Sequence, residues 1–209
     1  MSLTGLFLCL FLVVHLAGNL QLLKNDGGEA FNTYAYFMTH NPLIFAISIG
    51  NYIFIILHTV QGLVLYFQNR ASRKKGYATK KSSGSSFSSR NMALLGSFIL
   101  LFLISHMGDF WYKMKRGYLA TVSYEGYENI QDLYTRVSTA FDQWWIVLFY
   151  VIGMIVLAFH LLHGFQSAFQ SLGLNHKKYT PIIKGFGIIF CIVLSAGFIS
   201  IPIIHFFFR

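Results

Sequence analysis

The chain has 209 residues, 55% of them hydrophobic and 11% charged, with a formal net charge of +9. A soluble domain carries about 25% charged residues, so the composition excludes an ordinary soluble enzyme. The basic excess does not imply nucleic acid as a partner, because it is concentrated in two loops where it serves membrane topology.

Five apolar runs, about 2–23, 43–67, 92–112, 144–166 and 182–208, reach the roughly 20 residues that cross a bilayer core. Lipid offers no partner to backbone groups, so each run is expected to be a helix. Residues 1–209 therefore form one domain, an all-α membrane protein built as a five-helix transmembrane bundle. The first run starts at residue 2 with no basic segment and no small-residue cleavage site. It is expected to span the membrane rather than be removed as a signal. After it, "EAFNTYAYFM" (29–38) is expected to form an amphipathic surface helix. The second run leads into loop 68–90, which is Ser/Lys-rich, holds seven basic residues and no acid, and is expected to be mobile. After the third run, Tyr127, Ile130, Tyr134, Val137 and Phe141 recur at spacings of three and four. That spacing predicts a second amphipathic helix within 113–142, and no strand pattern is evident. Both surface segments would seal the rim of the bundle or cap a pocket.

The loop before the fifth run adds Lys177, Lys178 and Lys184, again without an acid. Loops rich in Lys and Arg stay in the cytoplasm, so the N-terminus is expected inside and the C-terminus outside. The acids lie on the opposite side or, like Asp109, at the outer end of a span. Cys9 and Cys191 sit in apolar runs without a CxxC or CxxCH pattern, and are expected to be packing residues.

Of the eight histidines, His40 and His176 fall in loops and His205 near the outer end of span five. These three are expected to be solvated or interfacial. The remainder are deep: His15, His58, His106, and the pair His160 and His163 on span four. Ionisable groups inside a membrane mark function. His15 is fourteen residues after Met1 and His106 fourteen after Met92, which puts both about 21 Å from the inner edge of a core about 30 Å thick. His58 and His160 lie on spans running the other way, about 22–24 Å from the outer edge. The histidines thus sort into two layers, His15 with His106 and His58 with His160.

Two imidazoles facing each other at one depth suit the axial positions of a haem iron, with two haem b groups expected because no CxxCH is present. Structural zinc wants four close ligands, and each layer offers two. Gly62 follows His58, and Gly164 follows His160, at i+4. A glycine on the same helix face leaves flat space for a macrocycle edge. Gly18 follows His15 at i+3. The glycine spacing favours His160 over His163 as ligand.

The chain resembles the di-haem cytochrome b membrane subunit of bacterial succinate dehydrogenases and fumarate reductases. The resemblance rests on "FLVVHLAGN" (11–19), "GEAFNTYAYFMTHNP" (28–42), "LHTVQG" (57–62), "ISHMGDFW" (104–111) and "FHLLHGFQSAFQSLG" (159–173). It implies that His15, His106, His58 and His160 are the iron ligands, paired as the depths pair them. It further implies a flavoprotein and an iron–sulfur subunit docked at the cytoplasmic face, menaquinone as electron partner, and a place in the bacterial cytoplasmic membrane. Asn19, Glu29, Asp109 and Trp111 are candidate quinone-contacting groups near the outer side. Ala158 stands where some members of the family carry an acid implicated in proton movement, so the resemblance does not extend to that path. The family also carries a basic segment before its first helix, where this chain starts directly in the apolar run. Two other readings fit the histidines: a cytochrome b subunit of a hydrogenase or formate dehydrogenase, and a haem-free proton-coupled transporter. Haem content and the companion subunits separate the three.

Overall fold

The computed structural model describes residues 1–72 and 87–209. Of loop 68–90, expected to be mobile, residues 73–86 lie outside the described residues, while a long helix runs to Ala71 and Phe87–Arg90 form a short one.

The elements in chain order are α1 (Ser2–Asn19) with a 3₁₀ turn at Leu20–Leu23, α2 (Glu29–His40), α3 (Pro42–Ala71) and the short α4 (Phe87–Arg90). Then come α5 (Met92–His106), a π-helical segment Met107–Tyr112 and α6 (Lys113–Lys115), which together make one rod. A hairpin of β1 (Thr121–Tyr124) and β2 (Tyr127–Gln131), α7 (Leu133–Phe141), α8 (Trp144–Ser171) and α9 (Tyr179–Phe208) complete the chain. Five helical stretches are long and apolar enough to cross a membrane: Ser2–Leu23, Pro42–Ala71, Met92–Lys115, Trp144–Ser171 and Tyr179–Phe208. They match the five apolar runs. Some run further than the apolar residues do, because polar residues such as Gln166 and Gln170 continue α8 past the apolar run. Leu3, Leu43, Leu94, Leu101, Ile104 and Ile182 stand exposed on these helices. Apolar surface of that extent belongs against lipid, the pattern of a multi-pass membrane protein.

Local chemistry sets the helix ends. Asn41 caps α3 by accepting from the amides of Leu43 at 3.0 Å and Ile44 at 3.2 Å, with Pro42 in the first turn. Gly173 takes a φ of +79° just past α8, the left-handed ending that glycine adopts most readily.

α8 packs along α9 and also touches α1 and α5. Close approach depends on Gly153, where a Cβ would lie 2.7 Å from the Phe102 ring of α5. One apolar core, including Cys9, Leu161, Phe165 and Cys191, fills the half of the bundle nearer the N-terminus. Both cysteines are unpaired packing residues there, as expected. The other core, including Leu22, Phe31, Phe110, Val137, Phe141 and Ile201, joins the spans to the rim elements. We call this the hairpin end and its opposite the N-terminal end.

The rim departs from expectation. Residues 29–38 do form a helix, as part of α2. The single amphipathic helix expected over Tyr127–Phe141 is instead an antiparallel hairpin followed by α7, which corrects the reading that no strand is present. Thr, Val, Tyr and Ile around Glu125-Gly126 are strand formers flanking a turn, and Gly126 supplies the left-handed residue with φ +78°. Asn32 of α2 locks these pieces together. It is 1% exposed, donates to Asp132 and to the Tyr124 hydroxyl, each at 3.0 Å, and accepts from the Tyr134 amide at 2.8 Å. Arg209 closes the same end by donating to the carbonyls of Leu22 at 2.7 Å and Lys24 at 2.8 Å. His205, expected to be solvated or interfacial, is 5% exposed and sits beside the rings of Tyr134 and Phe141. The rim folds over the last turns of α9, which its position near a helix end does not reveal.

Candidate functional site

Two pairs of histidines meet inside the bundle. His15 of α1 and His106, the last residue of α5, have ring centroids 5.8 Å apart and planes at 89°. His58 of α3 and His160 of α8 have centroids 6.2 Å apart and planes at 68°. A metal–imidazole nitrogen bond is about 2 Å and the ring centre lies about 1 Å behind it, so two imidazoles sharing one metal have centres about 6 Å apart. Both pairs have that spacing. Of the two α8 histidines, it is the ring of His160 that meets His58.

Glycines report the levels. A Cβ at Gly5 would lie 3.3 Å from Cε1 of His58, and a Cβ at Gly96 would lie 3.6 Å from Cε1 of His160. On α1, Gly5 precedes His15 by ten residues; in α5, Gly96 precedes His106 by ten. At 1.5 Å per residue the two pairs are separated by about 15 Å along the bundle. Neither glycine stood out in the sequence, although the shared ten-residue offset is a legible signal.

Aromatic rings enclose the pair nearer the hairpin end. Phe11 stacks on His15 at 5.2 Å and Phe102 on His106 at 5.8 Å. The Tyr150 hydroxyl lies 3.1 Å from Nδ1 of His106. His106 stands where α-helix gives way to π-helix, a feature frequent at functional sites. In the other pair, Nδ1 of His58 lies 3.2 Å from the Thr4 hydroxyl. Nδ1 of His160 is buried with no hydrogen-bond partner among the described residues. Tyr150 and Thr4 were not singled out, because a hydroxyl in an apolar run reads as ordinary packing until its partner from another helix is known.

The glycines chosen from the sequence have varied surroundings. Gly62 faces the terminal methyl of Met1, 3.3 Å from where its Cβ would be, and Gly164 faces that of Met92 at 3.5 Å. Both methionine ends are flexible and can give way. Gly18 sits against the ring of Tyr34 on α2, and a Cβ there would overlap that ring. The close contact seats the rim helix on α1.

No hydrogen bond, ion pair or ring contact joins any two of Asn19, Glu29, Asp109 and Trp111 among the described residues. The Asn19 side chain donates to the His15 carbonyl at 2.7 Å. Glu29 is an exposed first residue of α2. Asp109 pairs with Lys113 at 2.6 Å and with Arg136 of α7. Trp111 meets Tyr52 edge-on at 5.6 Å. A groove of about 350 Å³ opens at the hairpin end between Gln21, Lys24, Thr33, Tyr34, Phe37 and Tyr127. Burial pushes the Tyr34 phenol above the ordinary tyrosine range.

Among the described residues, no group of three or more His, Cys, Asp or Glu is gathered to hold a metal ion. Each histidine pair therefore offers two imidazole donors, and any metal between them needs its remaining donors from elsewhere. No family model matches the chain, and no curated protein or solved structure matches it.

Proposed function

We propose that the chain is a di-haem cytochrome b, the membrane-anchor subunit of a bacterial succinate dehydrogenase or fumarate reductase. The observation that carries the reading is the pair of opposed imidazole couples, at 5.8 and 6.2 Å, about 15 Å apart along the bundle. Two donors per level, with no group of three or more His, Cys, Asp or Glu among the described residues, suit an iron that a porphyrin would otherwise hold. His15 and His106 would hold one b haem, His58 and His160 the other. Nδ1 of His160, buried without a hydrogen-bond partner among the described residues, is a polar atom that a bound group or its surroundings would have to satisfy.

A bound b haem supplies a reversible one-electron carrier. The protein supplies ligands, orientation and a dry wall. Phe11 and Phe102 keep water from the pair near the hairpin end, and the Tyr150 hydroxyl orients His106. Electrons would pass along the bundle between an iron–sulfur subunit and menaquinone. The N-terminal end, with Arg90, Lys177 and Lys178 near it, is read as the cytoplasmic face on which the flavoprotein and iron–sulfur subunits dock. The C-terminus would then lie outside, in a bacterial cytoplasmic membrane. The groove beside Tyr34 has the volume of a small-molecule site, and quinone exchange is assigned to that end.

Pyridine haemochrome analysis of the purified chain tests the reading. Two b haems per chain are expected, and none would overturn it. Purification from the native membrane should bring a flavoprotein and support succinate-dependent dye reduction; a nickel or molybdenum subunit in its place would identify a different complex.

A further inference from the structure

We infer that Thr4 and Gly5, adjacent on α1, are positioning residues that fix the tautomer and seat of His58 on α3. The consequence at an iron rests on the function proposed above; the contact itself does not. The Thr4 hydroxyl donates to the Met1 carbonyl at 2.8 Å. Its only proton is thereby committed. The oxygen, 3.2 Å from Nδ1 of His58, can then act only as an acceptor. Nδ1 of His58 carries the proton, and the lone pair is left on Nε2, the nitrogen free to bind a metal. Gly5 acts on the same ring through space. A Cβ there would come within 3.3 Å of Cε1, the carbon between the two nitrogens. The imidazole edge that carries its chemistry thus rests on the α1 backbone, and a Cβ at residue 5 forces that ring to shift from its seat. Gly96 faces His160 at an ordinary contact distance of 3.6 Å, and Nδ1 of His160 has no hydrogen-bond partner among the described residues. The hydroxyl anchor therefore belongs to one imidazole of the couple.

An outer partner on a ligating histidine raises its basicity, and losing such a partner costs about 10–100-fold in metal affinity. The test uses the full chain in detergent, labelled with 15N-histidine, as wild type, Thr4→Val, Thr4→Ser and Gly5→Ala. The His58 signals are assigned by their loss in His58→Gln. Before haem is added, wild type and Thr4→Ser should show the proton on Nδ1 of His58, and Thr4→Val should lose that preference. With haem bound, Thr4→Val should bind the His58-ligated haem about tenfold more weakly and raise its midpoint potential. Thr4→Ser should restore both, the other haem should be unchanged in every variant, and Gly5→Ala should perturb only the His58 haem. A His58 tautomer and midpoint potential in Thr4→Val equal to wild type would overturn the inference even in protein with two haems. Wild type that takes up no haem would overturn the proposed function, while the tautomer measurement still decides the role of Thr4.

Discussion

His15 and His106, contributed by α1 and α5, meet with their rings nearly perpendicular and their centroids 5.8 Å apart. Neither helix packs this way by accident of composition. A histidine in the hydrocarbon core costs free energy unless it has a partner, and each of these rings meets the other across the bundle. The relationship makes the four deep imidazoles separable in experiment.

If the proposed di-haem function holds, His58→Ala or His160→Ala should remove one haem per chain and leave the haem assigned to His15 and His106 in place. His15→Ala or His106→Ala should do the converse. Haem content and the difference spectrum of each variant read this directly. Equal loss of both haems from either pair would contradict two independent levels.

His163→Ala should leave both haems bound, since it is His160 that meets His58. Gly96→Leu should displace His160, because even a Cβ at that position lies 3.6 Å from Cε1. The expected result is loss of the haem at the N-terminal end alone, read by the same spectra.

Asn32→Asp should invert the pH dependence of stability. In the native chain burial raises the Asp132 carboxyl, but hydrogen bonds from the Thr135 hydroxyl and amide and from Asn32 outweigh it, and the group lies below its ordinary value. A depressed folded pKa gives stability that is present above the ordinary value of 3.8 and is lost as pH falls below it. Placing a second carboxylate against Asp132 removes a donor and adds repulsion, which raises the pKa values of the pair. The variant should be less stable by about 2 kcal/mol near neutrality and should recover as pH is lowered toward about 5. Thermal unfolding at a series of pH values measures it; a variant that weakens on acidification as the native chain does would count against this network.

Asp109→Asn should destabilise the hairpin end. Arg136 and Asp109 are about a quarter exposed, at 24% and 29%. Their pairing therefore falls between an exposed ion pair, worth less than about 1 kcal/mol, and a buried one, whose breakage costs about 3–5 kcal/mol. A loss of about 2 kcal/mol is expected, with faster proteolysis of the β1–β2 hairpin and α7. Arg136→Met together with Asp109→Asn should recover part of it, because the less exposed Arg136 charge is then no longer left unpaired and Lys113, 39% exposed, is left to solvent.

Sequence and structure agree where the physics is one-dimensional. The five spans follow from runs of apolar residues, since a bilayer selects length and hydropathy along the chain without regard to neighbours. The pairing of the deep histidines followed from counting residues along helices of fixed rise. The rim was misread because Tyr127, Ile130 and Tyr134 satisfy a helical spacing by coincidence, whereas the turn at Glu125-Gly126 and the Asn32 network favour a hairpin. His205 was misplaced because its burial comes from α7, a distant segment folding across α9.

By itself the amino-acid order determined that this is a bundle of five apolar helices, and at what depth each histidine lies, because desolvation and helical rise act locally. Only the tertiary structure decided which way each helix is turned about its own axis. That rotation brought Thr4 and Gly5 against His58 and set Tyr150 beside His106. It is settled by side chains from different helices packing together, and no single stretch of sequence carries that information.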